Sequence, residues 1–254
     1  MTRARMPGLL RVASLNIHKG LSQFNRRTVI HELREGLREL EADIVFLQEV
    51  QGLNQRHARR FARWPVQSQH EFLSAGGWDH AYGRNRVHAH GHHGNAVLSR
   101  FPILEQQNTD VSSHRFESRG LLHCVIAVPG WRQPLHCVCV HLSLHERGRR
   151  QQLGALCDRL RGIVARGLPV IVAGDFNDWR ERATAMLARE LGMTEALLAA
   201  TGRHGRTFPS AMPVLRLDRI YVRGFDVSAA RAHRGRPWSR LSDHLALSAE
   251  LRLA

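Results

Sequence analysis

Polar residues able to hold a cation or move a proton fall at the ends of apolar runs in this chain. Asn16 ends the first such run. Glu49 follows Leu47-Gln48, His141 follows Cys137–Val140, and Asp175 and Asn177 follow Val170–Ala173. Asp218 sits within Leu217–Tyr221, and Asp243-His244 opens the last run. One carboxylate at a strand end is ordinary. Several, each abutting an apolar run, describe groups held rigidly at the rim of a sheet and still exposed there.

The residue types are those that P–O cleavage needs. Glu49 and Asp243 offer hard oxygen ligands suited to Mg²⁺ or Mn²⁺. Such a cation neutralises phosphate charge and stabilises a departing oxygen. Asp175 can orient or deprotonate an attacking water. Asn177, two residues along, falls on the same side of an extended segment, where its amide can hold a phosphate oxygen. His244, beside a carboxylate, can contact phosphate, more strongly when protonated.

Elements must hold these groups in place. Leu10 to Ile17 reads as a strand. Val29, Leu33, Leu37 and Leu40 recur at helical spacing and predict a helix over 28–40. Ile44-Val45-Phe46-Leu47 reads as a strand buried on both faces, with Glu49 at its end. Two short helices are expected between Gly52 and His80. From Trp78 to Val140, short apolar runs separated by Gly, Pro, Asn and Ser predict consecutive strands. Residues 149–164 return to helix, with Leu153, Leu156, Cys157, Leu160, Ile163 and Val164 in one stripe and Arg149, Arg150, Arg159 and Arg161 mostly off it. Pro169–Ala173 is another buried strand, and a helix follows near 180–191. Strands at Leu217–Val222, Phe225–Ala230 and His244–Leu251 complete the chain. This order suggests two sheets, each shielded by helices on its outer face. No interior linker or fixed-period repeat is visible, so one domain over 1–254 is expected.

Hydrophobic residues make up 43% of the chain, enough for a sizeable core. No long disordered tract is present. Lys and Arg outnumber Asp and Glu by 37 to 22, a formal charge of +15. Such a surface concentrates polyanions: nucleic acid, anionic lipid headgroups or small phosphoesters. Lys19 is the one lysine, so the positive charge is almost wholly arginine. The cysteines, Cys124, Cys137, Cys139 and Cys157, form no C-x-x-C pair, and Cys137 and Cys139 share a strand face. Buried, reduced thiols are expected. The N-terminal residues contain no apolar segment of signal-peptide length, and no stretch approaches the roughly 18 apolar residues of a membrane span. A cytoplasmic protein with no obligate protein partner is the expectation.

The segments LNIHKG (15–20), LQEV (47–50), VHL (140–142), GDFN (174–177), LDRIYV (217–222) and SDH (242–244) resemble the ordered motif set of the endonuclease/exonuclease/phosphatase superfamily. That superfamily includes pancreatic-type deoxyribonucleases, exonuclease III-like repair nucleases, neutral sphingomyelinases and inositol polyphosphate 5-phosphatases. The match runs from Asn16 to His244 in order. The resemblance implies an α/β fold, a four-layer α/β/β/α sandwich of two mixed sheets, with the site at one rim between them. It implies Asn16, Glu49 and Asp243 on the metal side, with Mg²⁺ or Mn²⁺ as cofactor and Glu49 a direct ligand. Asp175 resembles the residue that activates water, Asn177 its phosphate-binding companion, and His244 the phosphate-facing histidine oriented by Asp218. His141 resembles a histidine near the leaving group. It is used by deoxyribonuclease-type nucleases and sphingomyelinases and is generally lacking in abasic-site repair nucleases.

Other segments are less specific. His88-Ala89-His90-Gly91-His92-His93-Gly94-Asn95 matches no common zinc spacing and reads as a loop beside a strand, with His93 or Asn95 placed for substrate contact. Arg119 can clamp a phosphate oxygen. Trp179 is expected in the core, and Trp238 either there or on substrate. Arg231–Arg240 is a plausible basic rim. A nuclease is the favoured reading, on charge and His141. A phospholipid or small-phosphoester hydrolase uses the same core chemistry. A non-catalytic binding module requires a broken site, and every expected residue type is present.

Overall fold

The protein is described by a computed structural model covering residues 8–254. Residues 1–7, on which the N-terminal reading partly rests, lie outside the described residues. The first apolar run forms β1 (Leu9–Asn16), buried over its last five residues. It is followed by α1 (Ile30–Glu39), β2 (Ile44–Asn54), and the short helices α2 (Gln55–Arg60) and α3 (Gln69–Ser74). Five strands come next: β3 (Asp79–His88), β4 (Gly91–Ser99), β5 (Ile103–Asp110), β6 (Gly120–Ile126) and β7 (Leu135–His141). Then α4 (Glu146–Ile163), β8 (Val170–Asp175), α5 (Arg182–Leu191), β9 (Thr194–Glu195) and α6 (Ala196–Thr201). The chain ends in β10 (Asp218–Arg223), β11 (Phe225–Ala232), α7 (Trp238–Leu241) and β12 (Leu247–Leu253).

Two six-stranded mixed sheets result, ordered β11-β12-β1-β2-β4-β3 and β5-β6-β7-β8-β10-β9. Their facing sides share one apolar core. Leu10, Val12, Phe46 and Val97 from the first sheet meet Cys124, Cys137, Cys139, Ile171 and Ile220 from the second. Cys137 and Cys139 share that face, as a period of two requires. All four cysteines are buried and free. The outer face of the first sheet is covered by α1, α3 and α7, through Leu33, Leu37, Leu73 and Trp238. The outer face of the second is covered by α4 and α5, through Leu153, Leu156, Leu160 and Leu187. The architecture is the expected α/β/β/α sandwich.

Several local expectations are corrected. Glu49 does not end β2, which runs on to Asn54. The pairing with β4 slips between Leu47 and Val50, so Gln48 and Glu49 bulge out opposite Asn95. Asp243 and His244 do not open β12, which starts at Leu247; they lie in the turn before it. The His88–Asn95 segment is not a loop beside a strand but the tip of the β3–β4 hairpin. Arg149 is buried and donates to the carbonyls of Ser143 and Leu144, while Ile163 is exposed. Trp179 is 42% exposed with the Arg149 guanidinium over its ring, so it is not a core residue; Trp238 is. Among the described residues no helix is long and apolar enough to cross a membrane.

Candidate active site

The site begins with sheet register. β7 and β8 are parallel neighbours that set His141 beside Asp175. β8 and β10 are antiparallel neighbours that set Asp175 beside Asp218. Three functional residues thus stand in a row across adjacent strands, about 5 Å apart. Gly174, just before Asp175, allows this close approach. It holds φ at +147°, and a Cβ there would stand 1.9 Å from the Val140 carbonyl oxygen.

The turn carrying Asp243 and His244 is tied to the first sheet and to its neighbours. The Ser242 hydroxyl donates to the Asn16 carbonyl (2.6 Å) and accepts from the His244 backbone N–H (3.2 Å). Ser210 donates its backbone N–H to the Asp243 carbonyl (2.7 Å) and its hydroxyl to the Ser242 carbonyl (2.6 Å).

Asp175 Oδ2 is where the groups converge. Asn16 Nδ2 lies 3.3 Å away, His141 Nε2 3.5 Å and His244 Nε2 3.8 Å. The other oxygen accepts the backbone N–H of Asn177 at 2.9 Å. Asn177 adopts φ +49° and donates Nδ2 to the Leu142 carbonyl (2.9 Å), leaving one amide proton for a ligand. His244 Nδ1 sits 2.9 Å from Oδ2 of the fully buried Asp218.

The two imidazoles flanking Asp175 are driven apart in charge. For His244, burial lowers the pKa, but Asp218, Asp175, the Asp218 hydrogen bond and Asp243 more than reverse this and raise it to about 10. For His141, burial and Arg119 lower it, and Asp175 and Glu49 recover only part, leaving about 4. At neutral pH one is a cation and the other is neutral, a division of labour suited to catalysis.

Asn16 Nδ2 also reaches Glu49 Oε1 at 3.3 Å. Burial would push the Glu49 carboxyl up. His141, Lys19, His18 and the Asn16 amide together hold it down at about 2. Glu49 Oε2 accepts no hydrogen bond; its neighbour is Lys19 Nζ at 3.2 Å. Asp243 Oδ2 faces His18 Nδ1 at 3.2 Å. Glu49, with an ionised side chain whose Oε2 is faced by the Lys19 ammonium and whose Oε1 lies 3.3 Å from the Asn16 amide, fits a hard divalent cation. Asp175, Asp218 and His244 also gather ligand atoms within 4.8 Å. That group is better read as a hydrogen-bonded chain: an imidazole protonated on both nitrogens has no lone pair for a metal.

Glu49, His141, Asp175, Asn177 and His244 line an open cleft of 340 Å³. Arg119 reaches it, with Nε donating to the Leu142 carbonyl (3.2 Å) and Nη1 to the Ser118 carbonyl (3.4 Å). His93 also lines it, its pKa pushed down to about 4 chiefly by burial and then by Lys19. Asn95 lines it too, but both its amide protons go to the carbonyls of Gly120 and Cys139. That leaves only an acceptor, which suits no phosphate, so Asn95 ties the sheets together. Sequence reasoning missed Lys19, His18 and Phe208, whose ring lies 4.9 Å from that of His244. Lys19 and His18 stood inside a quoted motif without a role. Nothing in the sequence marks Phe208.

The sequence model of the Endonuclease/Exonuclease/phosphatase family matches residues 13–244. The uncharacterized protein YbhP of Escherichia coli K12 is 48% identical over 244 residues, covering 96% of each chain. Among solved structures, an endonuclease/exonuclease/phosphatase from Beutenbergia cavernae superposes with a TM-score of 0.79 at 22% identity, over 97% of this chain and 72% of that one. Truncated Caenorhabditis elegans TDP2 superposes with a TM-score of 0.70 at 20% identity, over 96% of this chain and 97% of the other.

Proposed function

This chain belongs to the endonuclease/exonuclease/phosphatase family, whose members are in general metal-dependent phosphoesterases, and we propose that it hydrolyses phosphodiester bonds in nucleic acid. The observation that carries the reading is the convergence on Asp175 Oδ2 of Asn16 Nδ2, His141 Nε2 and His244 Nε2. The Asp175 carboxylate takes a proton from water as its oxygen bonds to phosphorus. The protonated His244, held by Asp218, meets the phosphate oxygens, and Asn177 adds its free amide N–H. The bond to the leaving oxygen breaks on the side of His141, which offers a hydrogen bond without carrying charge. Glu49, with Asn16 and Asp243, would hold Mg²⁺ or Mn²⁺. A cation bound there supplies positive charge to the developing alkoxide.

Surface charge supports a polymeric substrate. A groove of 580 Å³ is lined by Arg203, Arg206, Arg231 and Arg234, none of which pairs with an acid among the described residues. Arg206 stands two residues from Phe208, so this groove begins within about 7 Å of the cleft along the chain. That is on the order of two phosphates along one strand of a duplex. A second reading, a lipid or small phosphoester, draws on the side pocket behind Arg119, where Phe116 (73% exposed) and Leu144 stand out. Plasmid DNA, RNA, a phospholipid panel and bis-(p-nitrophenyl) phosphate, each with Mg²⁺ or Mn²⁺, separate the two. Nicked plasmid or degraded RNA, inhibited steeply by salt, is expected. Intact nucleic acid beside a cleaved lipid or small ester would establish the second reading instead.

A further inference from the structure

Lys19 is the one lysine among 37 lysine and arginine residues. Its backbone is unusual as well. His18 and Lys19 hold φ at +45° and +59°, the left-handed region that side chains disfavour and that glycine enters freely. Neighbours hold the turn in that shape. The buried Gln69 donates Nε2 to the Lys19 carbonyl (2.7 Å) while its Oε1 accepts from the Gln51 backbone (2.8 Å), and the His18 N–H donates to Asn16 Oδ1 (3.1 Å). A lysine therefore stands where composition favours arginine and the backbone favours glycine.

Its ammonium meets one oxygen. Nζ lies 3.2 Å from Glu49 Oε2, which accepts no hydrogen bond. The side chain is 36% exposed and lines the cleft beside Asp175, His141 and His244. Here the difference between the two basic residues matters. A guanidinium grips a carboxylate with two parallel bonds in a fixed fork, whereas an ammonium is a point charge on a flexible stem. An arginine would hold Glu49; a lysine can let go.

We infer that Lys19 is a displaceable counter-ion of Glu49. It neutralises the carboxylate when no metal is present, yields it to a divalent cation, and turns to a phosphate oxygen of the substrate in the cleft. This rests on the phosphoesterase reading and on Glu49 as a metal ligand. An ammonium suits this position because it can trade one partner for another.

The test is Mn²⁺ binding by titration calorimetry on the full chain, alongside steady-state hydrolysis of bis-(p-nitrophenyl) phosphate. Wild type, Lys19→Met, Lys19→Arg and Glu49→Gln are compared, with melting temperatures as a check on folding. Lys19→Met removes a cation competing for Glu49, so Mn²⁺ should bind at least about tenfold tighter. The same variant should raise KM by about tenfold, having lost a phosphate contact. Lys19→Arg should bind Mn²⁺ about tenfold more weakly. Unchanged Mn²⁺ affinity in Lys19→Met, or wild-type affinity and KM in Lys19→Arg, would overturn the inference while leaving the phosphoesterase reading in place. A wild type that binds no Mn²⁺, with Glu49→Gln indistinguishable from it, would remove Glu49 as a ligand and the inference with it. Hydrolysis that persisted without metal would then leave phosphoester cleavage by the Asp175 cluster standing, while the metal-dependent part of the reading would fall with the inference.

Discussion

Asp218 shows how one buried side chain sets the chemistry of another. It is fully buried, and its Oδ2 meets His244 Nδ1 at 2.9 Å. Its charge is the largest of the influences raising the His244 pKa. Asp218→Asn keeps the ring in place and removes that charge. Turnover should fall by about 10- to 100-fold, whereas His244→Ala, which removes the phosphate-facing group itself, should cost about 1,000-fold or more. Steady-state kinetics on both variants checks the order; a larger loss in Asp218→Asn would reverse the two roles. At this scale much of the site was legible, because Glu49, Asp175, Asn177 and Asp243-His244 each abut an apolar run or stand in an ordered motif. The pairing of His18 with Asp243 and of Lys19 with Glu49 was not, since opposite charges in separate segments carry no sign of their contact. Asn95 was misjudged because a sequence does not say which amide protons are already spent.

Among the elements, β8 does the most to position chemistry. Its six residues are all buried, and it sets Asp175 between His141 and Asp218. Gly174→Ala would drive a Cβ to 1.9 Å from the Val140 carbonyl oxygen at a φ of +147°. Backbone cannot retreat cheaply from backbone, so the variant should lose about 3 kcal/mol or more of stability. Urea denaturation reads this directly, and a loss below about 1 kcal/mol would mean the two strands can part without cost. The strands themselves were readable because buried runs such as Val170–Ala173 have no other good interpretation. The bulge at Glu49 was not, because an inserted residue leaves an apolar run looking the same. The two-residue β9 and the short α6 and α7 are shorter than the windows in which periodicity can be measured.

Over the whole molecule, half-buried and buried histidines make stability depend on pH. His70, His93, His123, His141 and His233 are each pushed down to about 4, chiefly by burial. Unfolded, such a group titrates near 6.5. Between those values the unfolded chain binds more protons, so stability falls as pH drops from about 6.5 toward 4. His244 has the opposite sign: its contribution is complete below about 6.5 and is lost as pH rises toward 10. The glutamates Glu49 and Glu117, held at about 2, weaken the fold only below about 4.5. Five groups against one predict a lower melting temperature at pH 5 than at pH 7.5, readable by thermal denaturation without added metal. A flat or rising melting temperature on acidification would contradict the assignment of these rings as neutral in the folded chain. The layered architecture was legible from the order of runs and the ordered motifs, and the +15 charge from composition alone. Where that charge gathers was not, because Arg203, Arg206, Arg231 and Arg234 come together from α6, β11 and the segments after them only in the folded chain.

The central claim is that Asp175 activates water for attack on phosphorus in a metal-loaded cleft. The direct measurement is Mn²⁺- or Mg²⁺-dependent cleavage of plasmid DNA and of bis-(p-nitrophenyl) phosphate by wild type and Asp175→Asn, with and without chelator. The account predicts cleavage by wild type, loss with chelator, and a fall of at least about 1,000-fold in Asp175→Asn, with its melting temperature close to that of wild type. Cleavage by Asp175→Asn at the wild-type rate, or activity untouched by chelator, would contradict it.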